Sequence, residues 1–321
     1  MRPARRTPPR WWLLGPSAAA LVVVVVILAT RWGAVTASQP AYLVTLLFVG
    51  VAAAVGLASA LVRLRDRPAP ERPRWRVVAA RVAGVVATAV VLLGLLWLRP
   101  LPATDVAVAS MAGSPSVRVV DSTSTIALDP TGHTTRTGLV FYPGALVDPR
   151  AYVPLLSTLA ARGFTVVVVK PPYNIAFLAT GAPTGIIAGH RSVTRWVVGG
   201  HSLGGVAASS YAGGGHSGVD GLLLWASYPA SSLADATSLA VTSVSAGNDG
   251  LATPAKIEAA KGDLPAHTRY VVVEGAVHAY FGDYGTQRGD GTPTIGRTEA
   301  QRQIEAASLD LLQRVDEGAG G

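Results

Sequence analysis

The residues with the clearest chemical meaning are the seven of Gly-Gly-His-Ser-Leu-Gly-Gly at positions 199–205. An apolar run precedes them and small, helix-favouring residues follow, so the pattern predicts a strand, a Gly-x-Ser-x-Gly turn and a helix. Gly200 and Gly204 permit a tight turn, which would lift the Ser202 hydroxyl clear of the sheet as a nucleophile. The alternative interpretation is a glycine-rich turn in which Ser202 merely caps the helix.

A serine nucleophile needs a base and an acid, and both follow later strands. Residues 240–246 read as a strand that leads to Asp249, and residues 269–274 read as a strand that leads to His278. The order Ser, Asp, His is the one expected when each partner sits on a loop after a strand of the same sheet. We therefore expect His278 to take the proton of Ser202 and Asp249 to orient the imidazole.

Other residues compete for these roles less well. Asp235, on the loop after the preceding strand, is the alternative acid, whereas Asp220 precedes its strand and would lie at the wrong edge. His201 lies inside the turn, and we expect it to point away from the site. A second Gly-His-Ser-Gly run at 215–218 lacks a preceding strand and is interpreted as a surface loop.

Acyl transfer also needs two backbone donors for the developing oxyanion. The residue after the nucleophile, Leu203, supplies one such N–H. The strand predicted at 138–142 ends in Pro-Gly-Ala, and this turn could aim the Ala145 N–H at the same point. The alternative is an ordinary loop bend.

Strand-like and helix-like runs alternate through the last two thirds of the chain, and this alternation predicts an α/β fold with a mostly parallel sheet. The strand-like runs are 117–120, 138–142, 164–169, 195–199, 219–226, 240–246 and 269–274. The helix-like runs are 151–162, 203–212, 252–261 and 298–314. Sites in such sheets lie at the carboxyl ends of the strands, where all the candidate residues fall.

Several short motifs together resemble the α/β-hydrolase superfamily, more narrowly its bacterial fold-5 branch, which is related to dienelactone hydrolases. These motifs are 141–145, 152–156, 160–164, 170–172, the 199–205 turn and 278–285. The resemblance covers about residues 115–315 and implies an α/β-hydrolase fold with a Ser-Asp-His triad. Dienelactone hydrolases use a cysteine nucleophile, and this chain contains no cysteine, so lactone hydrolysis is not implied.

The segments between strands suggest an open site without a helical cap, because residues 230–239 are too few to form one. Tyr173 and Phe177 could form one pocket wall and Phe281 and Tyr284 another, or all four could be plain core. The loop 283–290 matches no calcium-ligand spacing and is interpreted as solvated. We expect no cofactor and no metal.

The first hundred residues have a different character. Uncharged apolar runs occupy 11–30, 41–62 and 82–98, and a bilayer core requires about 20 such residues. The sequence therefore predicts three transmembrane helices. The alternatives are a buried helix of a soluble domain for the third run and a cleaved signal peptide for the first.

Charge indicates how these helices are oriented. Residues 1–99 carry 13 arginines against two acidic residues, whereas residues 100–321 carry 14 basic and 17 acidic residues. The arginines concentrate before the first run and between the second and third, so the positive-inside rule predicts a cytoplasmic N-terminus and an extracytoplasmic C-terminal domain. The mildly acidic second part argues against nucleic-acid binding.

The predicted organisation is a membrane anchor at 1–99, a linker at 100–115, an α/β-hydrolase domain at 116–315 and a tail at 316–321. The leading hypothesis is a membrane-anchored serine hydrolase that acts on a small-molecule, lipid or glycoconjugate ester through an acyl-enzyme. The alternatives are an acyltransferase that uses the same triad and a non-catalytic anchored binding domain. The sequence indicates no particular protein partner.

Overall fold

The computed structural model describes residues 11–62, 73–215 and 218–318 and divides into two compact units. The first contains residues up to 36 and from 40 to 99, and the second contains residues 37–39 and 100–321. The basic leader, most of the arginine-rich segment between the second and third helices, and His216 and Ser217 lie outside the described residues.

The first unit contains helices α1 (Trp11–Ala37), α2 (Ala41–Val62) and α3 (Arg74–Trp97). All three are long and apolar enough to cross a membrane. Helix α1 is interrupted at Arg31, whose φ of −133° is not helical. Helix α3 begins eight residues earlier than predicted. The prediction began after Arg81, where the apolar run begins, but arginine is a good helix former and the helix includes it.

The second unit is built on an eight-stranded sheet with the order β1-β2-β4-β3-β5-β6-β7-β8. Its strands are β1 (Val117–Asp121), β2 (Thr125–Pro130), β3 (Thr137–Tyr142), β4 (Thr165–Val169), β5 (Arg195–His201), β6 (Val219–Trp225), β7 (Ala240–Ala246) and β8 (Arg269–Val273). Strand β2 pairs antiparallel with β1 and β4. The six strands β3 to β8 are all parallel to one another. The predicted α/β class with a mostly parallel sheet is confirmed.

Helices connect the strands and cover both faces of the sheet. They are α4 (Asp105–Ser110), α5 (Val153–Ala160), α6 (Ala182–Gly189), α7 (Leu203–Ala212), α8 (Pro254–Ala259) and α9 (Arg297–Glu317). On one face, Phe141 and Trp225 pack in a cluster that includes residues of α5 and α9. On the other face, Tyr142 and Trp196 pack with α7.

Some elements differ from the sequence prediction. Strand β2 was not predicted, although its alternating pattern buries Ile126 and Leu128 completely. The segment predicted as a linker contains α4, and Leu101 pairs with Val147 of the second unit. The predicted tail begins inside α9, which ends at Gly318 in a left-handed cap (φ 78°) that glycine adopts without strain.

Candidate active site

Strand β5 leads directly into α7 through a sharp turn centred on Ser202. Ser202 has φ 53° and ψ −124°, a strained backbone conformation for a residue with a side chain. Its N–H donates to the Trp225 carbonyl on the neighbouring strand β6 (2.9 Å). The Ser202 side chain makes no capping hydrogen bond to α7. The hydroxyl is therefore not used to cap the helix, which was the alternative interpretation of this motif.

Two glycines of the turn are required by close backbone contacts. A Cβ on Gly200 would lie 2.3 Å from the carbonyl carbon of Gly204. A Cβ on Gly204 would lie 2.2 Å from the Tyr142 carbonyl oxygen and 2.4 Å from that of Pro143. The start of α7 is thus pressed against the end of β3 and the loop that follows it. This contact brings the candidate nucleophile and the candidate oxyanion loop together.

The predicted acid and base are in direct contact. Asp249 follows β7 and His278 follows β8, and the Nδ1 of His278 lies 2.8 Å from the Oδ2 of Asp249. Both side chains are buried, with 1% and 0% exposure for His278 and Asp249 respectively. The other carboxylate oxygen accepts the N–H groups of Leu251 (2.7 Å) and Ala252 (2.8 Å). The carboxylate is therefore fixed on both sides, and the Nδ1 of His278 is held by it.

The remaining ring nitrogen of His278 is available for proton transfer. Its Nε2 is buried and has no hydrogen-bond partner among the described residues. The carboxylate that contacts the His278 ring is that of Asp249, not that of the alternative acid, Asp235. Asp220 instead accepts the N–H of Trp196 (2.9 Å) in the sheet.

The loop after β3 presents one free backbone donor. The Gly144 N–H donates to the Tyr152 hydroxyl (2.8 Å) and the Leu146 N–H to the Asn174 carbonyl (2.9 Å). Leu146 has a φ of 62°, which turns the chain sharply after Ala145. Within the described part of the chain, the N–H groups of Ala145 and Leu203 donate to no other group. These are the two donors that the sequence predicts for an oxyanion.

The sequence profile of the alpha/beta hydrolase family matches residues 138–303, which include the Ser202 turn, Asp249 and His278. The chain belongs to the alpha/beta hydrolase family. The predicted family resemblance and fold are therefore confirmed.

Solved structures similar to this alpha/beta hydrolase share little sequence with it. A proposed dienelactone hydrolase from Klebsiella pneumoniae is 13% identical, with 59% of this chain and 92% of that chain covered and a TM-score of 0.47. A thermophilic esterase from Thermogutta terrifontis is 16% identical over 62% and 92% of the two chains (TM-score 0.43). A Thermus thermophilus protein is 16% identical over 63% and 98% (TM-score 0.46). No match is found among curated proteins.

The residues predicted to line the hydrolase pocket divide into two groups. Phe281 is fully buried and Tyr284 is 4% exposed, and both belong to the core cluster beneath α5 and α9. Both pack in the core, which is one of the two alternatives that the sequence left open for them. The short helical turn 278–281 directs Phe281 inward. Phe177 is 46% exposed and Tyr173 is partly buried, so these two can still contact a substrate.

His201 lies beside the candidate base, His278, and the expectation that it points away from the candidate site is wrong. Its ring centroid is 4.5 Å from that of His278 and 5.6 Å from that of Phe281, on which it stacks. Its side chain is completely buried. Burial, reinforced by the neighbouring His278, holds the pKa of His201 well below its usual value. His201 is therefore neutral and packs against the ring of the candidate base.

A carboxylate that the sequence analysis placed in a solvated loop connects the acid and base loops. Asp290 accepts the N–H groups of His278 (3.0 Å) and Ala279 (2.8 Å). It also accepts the Gly250 N–H (3.3 Å), next to the candidate acid. The side chain of Asp290 therefore fixes the backbone of the candidate base relative to that of the candidate acid. No sequence signal points to this role, because the contacts depend on how the loops after β7 and β8 fold against each other.

An arginine holds the other end of the base loop. The Arg297 guanidinium donates to the carbonyls of Ala279 (2.8 Å) and Gly285 (3.0 Å), and also to that of Gly282. The guanidinium also lies over the Tyr280 ring, 4.5 Å from its centroid. Asp290 thus satisfies N–H groups at the start of the 278–281 turn, while Arg297 satisfies carbonyls at and after it.

Proposed function

We propose that this alpha/beta hydrolase is a membrane-anchored serine esterase with the triad Ser202, His278 and Asp249. The observation that carries the proposal is the buried 2.8 Å contact between the His278 Nδ1 and the Asp249 carboxylate. It leaves Nε2 without a partner among the described residues, at the strand edge that also carries the Ser202 turn. A buried imidazole with one nitrogen fixed by a carboxylate is suited to act as a general base.

In the first half of the proposed reaction, Ser202 becomes acylated. The His278 Nε2 takes the proton of the Ser202 hydroxyl as Oγ forms a bond to the ester carbonyl carbon. The carbonyl π electrons move onto its oxygen, and the resulting oxyanion accepts the N–H groups of Leu203 and Ala145. The tetrahedral intermediate then expels the alkoxide, which leaves as an alcohol with the proton held by His278.

In the second half, water replaces the serine. His278 takes a proton from a water molecule as the water oxygen attacks the acyl carbon. The N–H groups of Leu203 and Ala145 again donate to the oxyanion. Collapse breaks the bond to Oγ, and His278 returns the proton to Ser202. The products are a carboxylic acid and the free enzyme. Attack by an alcohol instead of water would give acyl transfer on the same triad.

The substrate proposal rests on the exposed side chains at this edge of the sheet. Phe177 is 46% exposed and Leu178 is 55% exposed in the segment after β4, and Tyr228 is 36% exposed after β6. Only residues 230–239 separate the end of the Tyr228 segment from β7, so no helical cap is inserted between β6 and β7. We infer an ester whose acyl or alcohol part contacts apolar side chains in an open site.

The anchoring proposal combines apolar helices with the distribution of arginine. Three helices are long and apolar enough to span a membrane. Arginines dominate the sequence before α1 and between α2 and α3, which favours a cytoplasmic location for both segments. The hydrolase unit would then lie outside the cytoplasmic membrane.

Steady-state hydrolysis of p-nitrophenyl esters tests the proposal. The full-length protein in detergent should hydrolyse acetate and butyrate esters, and Ser202→Ala and His278→Ala should each lose at least about a thousandfold in kcat. Asp129→Asn is the control, because the exposed ion pair between Asp129 and Arg118 has no part in the proposed mechanism. Full turnover by Ser202→Ala would contradict the proposal. Added alcohols that divert the acyl group into a new ester would identify acyl transfer.

A further inference from the structure

The buried pair of Tyr152 and His201 lies between the Ser202 turn and the oxyanion loop. The Tyr152 hydroxyl is 2.8 Å from the His201 Nδ1 and 2.8 Å from the Gly144 nitrogen. Both side chains are completely buried. His201 immediately precedes Ser202, and Gly144 immediately precedes Ala145. One hydroxyl therefore connects the strand that carries the nucleophile to the loop that presents the second oxyanion donor.

The direction of these two hydrogen bonds follows from counting protons. The Gly144 N–H can only donate, so the Tyr152 oxygen accepts it. The hydroxyl has one proton of its own, and the remaining partner is the His201 Nδ1. Tyr152 therefore donates to Nδ1, which makes His201 a neutral imidazole with its proton on Nε2. Burial supports this assignment, because it raises the pKa of Tyr152 and lowers that of His201.

The same hydroxyl restricts the oxyanion loop. With its N–H held by Tyr152, Gly144 packs so tightly that an added Cβ would lie 2.8 Å from the His201 Nδ1 and 3.1 Å from the Tyr152 hydroxyl. Two residues later, the Leu146 N–H is held by the Asn174 carbonyl. The intervening Ala145 N–H is the one left without a partner among the described residues of this turn. Fixing both neighbours leaves the peptide between them little freedom to rotate.

We propose that Tyr152 and His201 are positioning residues that hold the Ala145 N–H in place as an oxyanion donor. This inference rests on the proposed esterase function. Neither side chain contacts the substrate in this account. Tyr152 acts on the loop through the Gly144 N–H, and His201 acts by accepting the proton that sets the orientation of the Tyr152 hydroxyl. Preorganised donors of this kind stabilise charge that develops in the transition state, so the pair should affect kcat rather than substrate binding.

The main test replaces Tyr152 with phenylalanine in the full-length protein. Tyr152→Phe removes the acceptor of the Gly144 N–H and leaves the ring in place. We expect kcat for p-nitrophenyl butyrate to fall by about tenfold to a hundredfold with KM within about twofold of wild type, because one displaced oxyanion donor weakens only the transition state. Tyr211→Phe is the matched control, since that hydroxyl contacts Thr184 at the far end of α7.

A trifluoromethyl ketone inhibitor separates positioning from a general structural role. Ser202 Oγ adds to its carbonyl carbon, the carbonyl oxygen becomes an alkoxide in the oxyanion site, and the serine proton passes to His278. The inhibition constant of Tyr152→Phe should rise by the same factor by which kcat falls. If kcat and the inhibition constant both match those of Tyr211→Phe, the proposal is wrong.

Two substitutions of His201 keep the proposal testable if Tyr152→Phe does not fold. His201→Gln retains an oxygen that can accept the Tyr152 proton, whereas His201→Leu retains the bulk and offers no acceptor. We expect His201→Gln to keep kcat within about threefold of wild type and His201→Leu to lose about tenfold or more. Equal activity in the two variants would overturn the proposal. Activity in Ser202→Ala would instead refute the esterase function itself.

Discussion

The two units of this protein use the same apolar residue types in opposite ways. In the helical unit, Phe48 is 74% exposed and Leu93 is 67% exposed, whereas in the sheet unit Leu139 and Leu223 are completely buried. Exposed apolar side chains along helices of membrane-spanning length fit a lipid solvent, and buried ones fit a water-soluble core. The comparison agrees with the proposal that the first unit anchors the protein and the second carries the chemistry.

The largest expected effect comes from removing the base. His278→Ala should lower kcat for aryl esters by at least about a thousandfold, because His278 is the proposed acceptor of the Ser202 proton. The protein should still be recovered in the membrane fraction, since the helical unit is unchanged. Loss of the protein from membranes together with loss of activity would contradict the proposal that the helical unit anchors the protein and the sheet unit carries out catalysis.

Matched leucine truncations sharpen the comparison. Leu223→Ala should lower the free energy of unfolding of the sheet unit by about 2–5 kcal/mol, because the truncation leaves a cavity in a closed core. Leu93→Ala removes the same atoms from an exposed position, and we expect a change below about 0.5 kcal/mol. Denaturant unfolding followed by tryptophan fluorescence in detergent measures both. Equal destabilisation would mean that Leu93 is packed against protein and not against lipid or detergent.

Within the sheet unit, Asp290→Asn tests how the loops of the acid and base are held. The amide keeps one oxygen acceptor but presents an NH2 group to N–H donors that the carboxylate now accepts. We expect kcat/KM to fall by about tenfold, since small displacements of a catalytic group are costly. Asp129→Asn provides the control. Unchanged kinetics in Asp290→Asn would show that other contacts suffice to position His278.

The smallest expected effect is a change in the pH dependence of stability. The pKa of His201 is lowered in the folded protein, so the unfolded state binds the additional proton. Stability from this group is present above the ordinary histidine pKa of about 6.5 and is lost as pH falls below it, by at most about 1.4 kcal/mol per pH unit. The ionisable groups around the ring are Tyr152, His278 and Tyr284.

Thermal unfolding of wild type and His201→Gln between pH 7.5 and pH 5 measures this dependence. The unfolding temperature of wild type should fall more steeply below pH 6.5 than that of His201→Gln, because glutamine does not titrate. Identical slopes would indicate that His201 binds its proton over the same pH range in the folded and unfolded states, and would contradict the lowered pKa.

The two units also differ in how much of them the sequence predicts. Three long apolar runs suffice to locate the helices of the first unit, apart from the extra turns of α1 and α3. In the second unit, the Ser202 turn is a local pattern, and strand order is enough to place Asp249 and His278 at one edge. Strand β2 could have been found from the alternation of Ile126 and Leu128, which both face the core.

The residues that support the candidate site could not be predicted in the same way. Asp290, Arg297 and Tyr152 act through backbone groups of loops 8 to 18 residues away, and no residue pattern in the sequence predicts such contacts. The inward direction of Phe281 depends on a single helical turn after the base. Which side chain of a loop faces the core is set by packing that only the folded chain supplies.

Labelling of intact cells with a membrane-impermeant fluorophosphonate tests the central claim most directly. The probe phosphonylates an activated serine and expels fluoride, so it reports the nucleophile and the side of the membrane together. We predict labelling of wild type in whole cells and no labelling of Ser202→Ala or His278→Ala. Labelling only in lysates would place the hydrolase unit in the cytoplasm, and no labelling of wild type in either preparation would contradict the proposed activated serine.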